Sequence, residues 1–376
     1  MKSRKVLVLG ATGYVGQRLV RRLADDGHRV KASWRSITKL NRCSWSKDSR
    51  VQPVYVDVLQ SDTLQKALHG CSSAYYLIHS MYSGKQYAQL DRDAASNMCA
   101  LAQKTGLEHI IYLGGLLDRR DRLSKHLLSR AEVSRILQSG PVPVTTLRAA
   151  MLLGAGSASF EIMRYVVERL PFMITPRWAQ SKTQPIAISN ALTYLLNCLT
   201  HSETIGKTFD IGGPEIVSYP DLIQIFTQEA NLTKRTLLPI PFLGRKLSEF
   251  FIDKVTPIPQ SLARPLIRGL KSETICRDNR IIKIIPQKLL TNRATIRLAL
   301  QEINFNLQRS RWAKDPPSFI PEWTEPNDPP WAGGTVYIDH RKAIAKCSPE
   351  ELWDPVIRIG GPQGWYYANW VWRIYG

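Results

Sequence analysis

The stretch Lys5-Val-Leu-Val-Leu-Gly10-Ala-Thr-Gly13-Tyr-Val-Gly16 decides the fold. An aliphatic, β-branched run enters three glycines spaced three residues apart. Apolar Val15, Leu19, Val20 and Leu23 then recur at helical spacing until Gly27, which reads as a stop. Each glycine has a separate physical task. Gly10 lets the strand turn tightly, Gly13 lets backbone approach a pyrophosphate, and Gly16 lets the helix pack close on the strand. The unpaired N–H groups and the positive dipole end of the helix would receive the phosphate charge. A strand before and an amphipathic helix after supply the context in which such glycines read as a dinucleotide cradle formed by Gly10, Thr12, Gly13, Tyr14, Val15 and Gly16. The competing reading is a glycine-bearing turn with no ligand.

Outward from the cradle the chain alternates. Strands are predicted at His28–Trp34, Val54–Val58, Ala74–Ile78, His109–Leu113 and Val144–Arg148, with helices over Ser61–Leu68, Tyr87–Lys104 and Ser124–Gln138. Six strand–helix units imply an α/β fold with a doubly wound parallel Rossmann sheet, so residues 1–150 read as the dinucleotide-binding domain. Residues 151–314 keep structured segments but lose the alternation. Phe160–Leu170, Thr208–Pro214 and Tyr219–Ala230 are expected to form a small lid or substrate region. Residues 315–331, rich in proline and aromatics, read as a linker, and 332–376 as a separate tail.

Composition narrows the partners. The 376 residues carry 51 Lys and Arg against 31 Asp and Glu, a formal net charge of +20. Residues 231–311 alone hold 16 basic and 5 acidic side chains. This suggests contact with an acidic protein or an anionic membrane surface, with a plain solvated basic face as the alternative. No nucleic-acid reader module is recognisable. The basic amphipathic runs Phe242–Lys254 and Leu262–Leu270 could dock on a membrane or form the wall of a pocket, and the pocket wall is favoured. Six cysteines and seven histidines lack ligand spacing, so no metal site is expected and the cysteines suit a reducing cytoplasm. No apolar window is long enough to span a bilayer. The expected location is cytoplasmic, with a peripheral association at the inner membrane face left open.

Cofactor choice is read about 20 residues past the cradle. An acid at the end of the second strand would select NAD(H). This chain has Arg35-Ser36 there, with Lys39 one helical turn on, and no Asp or Glu in positions 30–40. A planar guanidinium and an ammonium suit a 2′-phosphate, so NADP(H) is expected over NAD(H), against the alternative of ordinary surface cations. Asp57 and Val58 are expected near the adenine.

These features resemble the extended and atypical branch of the short-chain dehydrogenase/reductase superfamily. The likeness rests on the Gly10–Gly16 loop, Asp57, Asp93-Ala-Ala-Ser-Asn97, Tyr112-Leu-Gly-Gly115 and Phe209-Asp-Ile-Gly-Gly-Pro214. More narrowly the chain is similar to bacterial NAD(P)-binding proteins related to the Rossmann-type accessory subunit of respiratory complex I. That closer likeness rests on Ser129-Arg-Ala-Glu132, Gly156–Glu161, Pro176-Arg-Trp178, Gln184-Pro-Ile186 and Gly361–Tyr366. In those relatives a helix-grip-like domain follows the reductase-like part. The resemblance implies that residues 332–376 hold only the opening of such an α+β domain, because about 100 residues are normally needed to bury its core; a truncated tail is the expectation.

Working members of the superfamily place a Tyr-x-x-x-Lys pair on the helix after strand five, where lysine tunes the phenol for proton transfer. Here no tyrosine lies between Tyr112 and Tyr165, and Gly114-Gly115 replaces the usual serine. His126 and Arg130 occupy that helix instead. His126 could exchange the proton and Arg130 hold the nicotinamide ribose. Equally, both could be ordinary polar residues, with Arg130 paired to Asp118 or Asp121. Ile78, His79 and Ser80, ending strand four, are further candidates beside the nicotinamide. The resemblance implies an NADP(H)-linked oxidoreductase acting on a small apolar substrate, or a non-catalytic NADPH-binding sensor or assembly factor for a membrane or respiratory complex.

Overall fold

The structure is a computed structural model that describes residues 3–116, 124–176, 180–240, 255–309, 328–329, 331–332, 344–358 and 364. Its centre is a seven-stranded sheet in which every neighbouring pair is parallel. The strands are β1 (Lys5–Leu9), β2 (Arg29–Trp34), β3 (Val51–Tyr55), β4 (Ser73–Tyr76), β5 (His109–Gly115) and β6 (Val144–Ala149), with Thr208–Ile211 at one edge. Across the sheet the order is Thr208–Ile211, β6, β5, β4, β1, β2, β3. This is the doubly wound α/β arrangement expected from the alternation. One element differs: Thr208–Ile211, expected in the lid, is a seventh sheet strand, paired in register with β6 from Thr208↔Thr146 to Ile211↔Ala149. Edge pairing satisfies its backbone more fully than a lid position would.

Strict alternation along β1 divides the core. Val6 and Val8 face α1 (Tyr14–Asp25) and α7 (Ile188–Cys198), meeting Leu19, Leu23, Leu192 and Leu195. Leu7 and Leu9 face the other way, onto Leu64 and Leu68 of α3 (Ser61–Leu68), Met98 of α4 (Tyr87–Ala102) and Val133 of α5 (Lys125–Gln138). Period-two side chains buried on both faces make β1 an interior strand. Burying each such aliphatic side chain contributes about 1.5–3 kcal/mol.

Beyond β6, α6 (Ala158–Arg169), α8 (Tyr219–Glu229) and the helix Asn292–Arg309 close a further core around Phe160, Phe226, Leu222 and Ile296. α8 begins with a complete capping box, Ser218 and Asp221 each bonding the other's backbone N–H. The helix Gln260–Gly269 turns Leu262, Ala263 and Ile267 inward onto Tyr165 and Trp331. The other basic run, Phe242–Lys254, lies outside the described residues.

Compactness divides the chain into residues 1–335 and 336–376. Two residues of the stretch expected as linker pack into the first unit. Asp328 forms an ion pair with Arg18 at 2.6 Å, and Trp331 is 7% exposed, its carbonyl accepting from the Tyr165 hydroxyl at 2.8 Å. The second unit contains the helix Pro349–Ile357, opened by a Ser348–Glu351 capping box and exposing Leu352, Trp353, Val356 and Ile357. No described helix is long and apolar enough to cross a membrane.

Candidate functional site

The carboxyl ends of β1, β4, β5 and β6 converge on one cavity of about 510 Å³. At its floor the chain turns from β1 into α1. Gly10 adopts φ +82°, and a Cβ there would lie 2.9 Å from the Leu77 carbonyl oxygen. A Cβ on Gly16 would overlap the Gly10 carbonyl and lie 2.8 Å from Ala11 Cα, so only glycine lets α1 approach this closely. Gly13 is different. Its Cβ would meet only the Gly10 oxygen, at 3.2 Å, and the residue is exposed. As N-cap of α1, Gly13 supplies no side-chain bond, and no acid occupies the first helical turn. The first N–H groups of α1 therefore stand beside an open backbone surface, which suits a pyrophosphate. The Ser33 hydroxyl accepts from Gly10 N at 2.9 Å and fixes the turn.

Thr12, Tyr14 and Val15 are half-buried at this end of α1. Tyr14 and Val15 line the cavity, and the Arg18 guanidinium covers the Tyr14 ring at 4.2 Å. Burial raises the Tyr14 phenol pKa far above its ordinary value. Arg35, Ser36 and Lys39 are exposed just beyond β2, Ser36 as N-cap of the short helix Ile37–Leu40. Among the described residues neither Arg35 nor Lys39 has a carboxylate partner. Asp57, expected to end strand three, lies two residues past β3. Its Oδ1 accepts from Leu59 N at 3.1 Å, so part of the carboxylate is committed to its own turn. Val58 is buried, and its carbonyl accepts from Asn97 at 2.9 Å, which ties this loop to α4.

The polar wall of the cavity comes from the loop after β4 and from α5, with α4 behind it. Ser124 caps α5 through Leu127 N, and the helix then carries His126 and Arg130 on one face. Arg130 donates to the carbonyls of Ile78 and Leu113, and its guanidinium stands 5.0 Å from the Tyr112 ring centroid. Asp118 and Asp121, considered as its partners, lie outside the described residues. His126 Nδ1 is 3.0 Å from His79 Nε2, and His79 Nδ1 is 2.9 Å from Asp91 Oδ2. Asp91 is 2% exposed and also accepts from Ser80 N at 2.9 Å and Ser129 Oγ at 3.2 Å.

Electrostatics follow from these contacts. Burial drives the His126 imidazole down to about 3, assisted by His79 and Arg130. It also lowers His79, against the opposing bond to Asp91. Burial alone would raise the Asp91 carboxyl, but the bonds from His79 and Ser80 hold it below its ordinary value. The site therefore contains an ionised buried carboxylate followed by two neutral imidazoles. Asp91 was not among the residues singled out from sequence, because no local spacing links it to His79 or His126.

The remaining lining is mostly apolar. It includes Leu113, Met151, Ile162, Met163, Leu266 and Leu270. Leu262 and Ile267 of the helix Gln260–Gly269 line it too, so that basic run serves as pocket wall. Such a space accepts a small apolar body and offers it a few convergent polar groups.

A family model described as NAD(P)H-binding matches residues 10–162. The chain is 22% identical over 298 residues to NADH dehydrogenase [ubiquinone] 1 alpha subcomplex subunit 9, mitochondrial, of Arabidopsis thaliana, covering 75% of this chain and 74% of that protein. It is 22% identical over 263 residues to the photosystem II assembly factor Ycf39 of Guillardia theta, covering 69% and 81%. Among solved structures it is similar to Citrobacter sp. triphenylmethane reductase complexed with NADP(H), with TM-score 0.62, 17% identity, and coverage of 78% of this chain and 99% of that one. That last likeness establishes a shared fold.

Proposed function

From an NAD(P)H-binding domain that spans residues 10–162, we propose an NADP(H)-linked oxidoreductase that interconverts a carbonyl and a hydroxyl on a small apolar substrate. One observation carries the reading: the dinucleotide cradle and the apolar cavity are continuous, and His126, His79 and Arg130 stand where the two meet. The bound cofactor would supply or accept hydride. The chain's own residues do the rest. Gly10, Gly13 and Gly16 admit the pyrophosphate, while Arg35 and Lys39 offer cations to a 2′-phosphate. Arg130, braced by the Ile78 and Leu113 carbonyls, borders the place where a nicotinamide ribose would lie. His126 exchanges a proton with the substrate oxygen, while Leu262, Leu266 and Ile267 exclude water.

A second reading draws on the relatives, one named as a subunit of NADH dehydrogenase and one as an assembly factor, and on the missing Tyr-x-x-x-Lys pair. In that reading NADPH is a structural element. The same account puts the protein in the cytoplasm, with the basic 231–311 region available to an anionic membrane or an acidic protein. Incubating the purified chain with NADPH and apolar ketones such as 1-tetralone separates the two readings. Oxidation of NADPH that is abolished in His126→Ala, with cofactor affinity kept, supports the enzyme. Bound NADPH that no carbonyl or quinone consumes supports the accessory role.

A further inference from the structure

Hydrogen-bond bookkeeping through the buried chain fixes where its protons lie. Asp91 is ionised, and a carboxylate only accepts, so His79 Nδ1 must carry the proton between them. A neutral His79 then has a bare Nε2, which must accept. Its partner at 3.0 Å is His126 Nδ1, which must donate. A neutral imidazole carries one N–H, so His126 Nε2 is bare. That nitrogen has no bonding partner among the described residues, and the His126 side chain lines the cavity.

We propose that Asp91 and His79 are positioning residues that hold His126 as its Nδ1-protonated tautomer, so that the cavity presents a lone pair and takes an apolar ligand bearing a hydroxyl donor, an alcohol or phenol. The alternative chain needs an imidazolium at His79 donating toward His126. Burial of His79 and the facing Arg130 charge both oppose it, and Asp91 is the one opposing attraction. Tyr87, whose ring meets His79 edge-on at 6.4 Å, adds no charge at neutral pH because its own pKa is raised by burial. Arg130 commits two of its five N–H groups to the Ile78 and Leu113 carbonyls, which leaves His126 Nε2 as the unpartnered acceptor beside it. When a hydroxyl ligand gives its proton to Nε2, the Nδ1 proton can pass to His79, which places the positive charge against Asp91.

The inference rests on the oxidoreductase reading only for the words alcohol and phenol. The tautomer itself is read on the free protein. In long-range proton–nitrogen NMR spectra of uniformly labelled protein at pH 7, His126 should show a protonated Nδ1 and a bare Nε2. A protonated Nε2 on His126 overturns the proposal whether or not the protein turns over NADPH. Asp91→Asn should reverse the chain, because the amide can donate to His79 Nδ1, and His126 should then carry its proton on Nε2.

The ligand preference is checked with 1-tetralol and 1-tetralone, which share one carbon skeleton. Wild type should bind the alcohol about five- to tenfold more tightly, the value of one hydrogen bond, and Asp91→Asn should lose that preference. Equal binding of the two by wild type overturns the ligand class. Both wild-type measurements stand if Asp91→Asn fails to fold.

Discussion

The cradle gives the sharpest test, because two glycines three residues apart should respond differently to the same added methyl. In Gly16→Ala the new Cβ overlaps the Gly10 carbonyl and crowds Ala11 Cα, both backbone atoms of the turn. Neither can move aside unless α1 retreats from β1 by about 1 Å. Overpacking of this kind costs about 1–3 kcal/mol, and the rigid obstacle argues for the upper end. In Gly13→Ala the Cβ meets a single oxygen at 3.2 Å, with an extended φ of −87°. That contact is relieved by a few tenths of an ångström, so stability should fall by less than about 1 kcal/mol. Yet the methyl would stand on the surface where a pyrophosphate must approach, so NADPH affinity should drop at least tenfold, about 1.4 kcal/mol. Urea unfolding and titration calorimetry on both variants read the two quantities separately. Gly16→Ala should lose stability and affinity together, and Gly13→Ala mainly affinity. A Gly13→Ala variant that binds NADPH like wild type would refute the cradle, and an undiminished Gly16→Ala would refute the close packing.

Three further outcomes are expected. Arg35→Asp should weaken NADPH binding by about 1.5–3 kcal/mol, the value of a charged hydrogen bond, and reverse the preference toward NADH; an unchanged ratio of the two affinities in calorimetry would exclude Arg35 from the 2′-phosphate site. Stability should decline with acid, because His126 and His109 stay neutral in the folded state down to about 3 and about 4, whereas their unfolded forms take up protons near 6.5. Stability is then full above pH 6.5 and falls by about 1.4 kcal/mol per pH unit for each histidine as pH drops toward 4.5. Urea midpoints at pH 7, 6 and 5 check this, and His109→Gln should remove its own share of the slope, about 1.4 kcal/mol per pH unit. Asp328→Ala should cost about 3 kcal/mol by urea unfolding, since it removes the carboxylate facing Arg18, which is 2% exposed; a loss below about 1 kcal/mol would show that this contact does not hold residues 328–332 to α1.

Local chemistry explains what could be read in the sequence. Gly10, Gly13 and Gly16 act through their own backbone, and the alternation of Val6 and Val8 with Leu7 and Leu9 is a period-two pattern, so both signals are contained within a dozen residues. The seventh strand was harder. Thr208–Ile211 is four residues long, and its place depends on β6, about 60 residues earlier. Asp91, His79 and His126 come from the body of α4, the loop after β4 and the first turn of α5, and only the folded sheet brings His79 to 2.9 Å from Asp91 and 3.0 Å from His126. Asp57 followed the strand pattern on paper, but β3 ends at Tyr55, and its carboxylate closes the turn into α3. Trp331 sits in proline-rich sequence that reads as linker. Its burial against Tyr165 and the helix Gln260–Gly269 is a tertiary fact with no local signature.

The central claim is that this chain binds a phosphorylated nicotinamide dinucleotide in the Gly10–Gly16 cradle. Parallel calorimetric titrations of the wild-type protein with NADPH and NADH test it most directly. Saturable one-to-one binding with NADPH the tighter of the two, by tenfold or more, is the predicted result. Absence of binding by both cofactors would contradict the cradle itself, and equal affinities would contradict the roles given to Arg35 and Lys39.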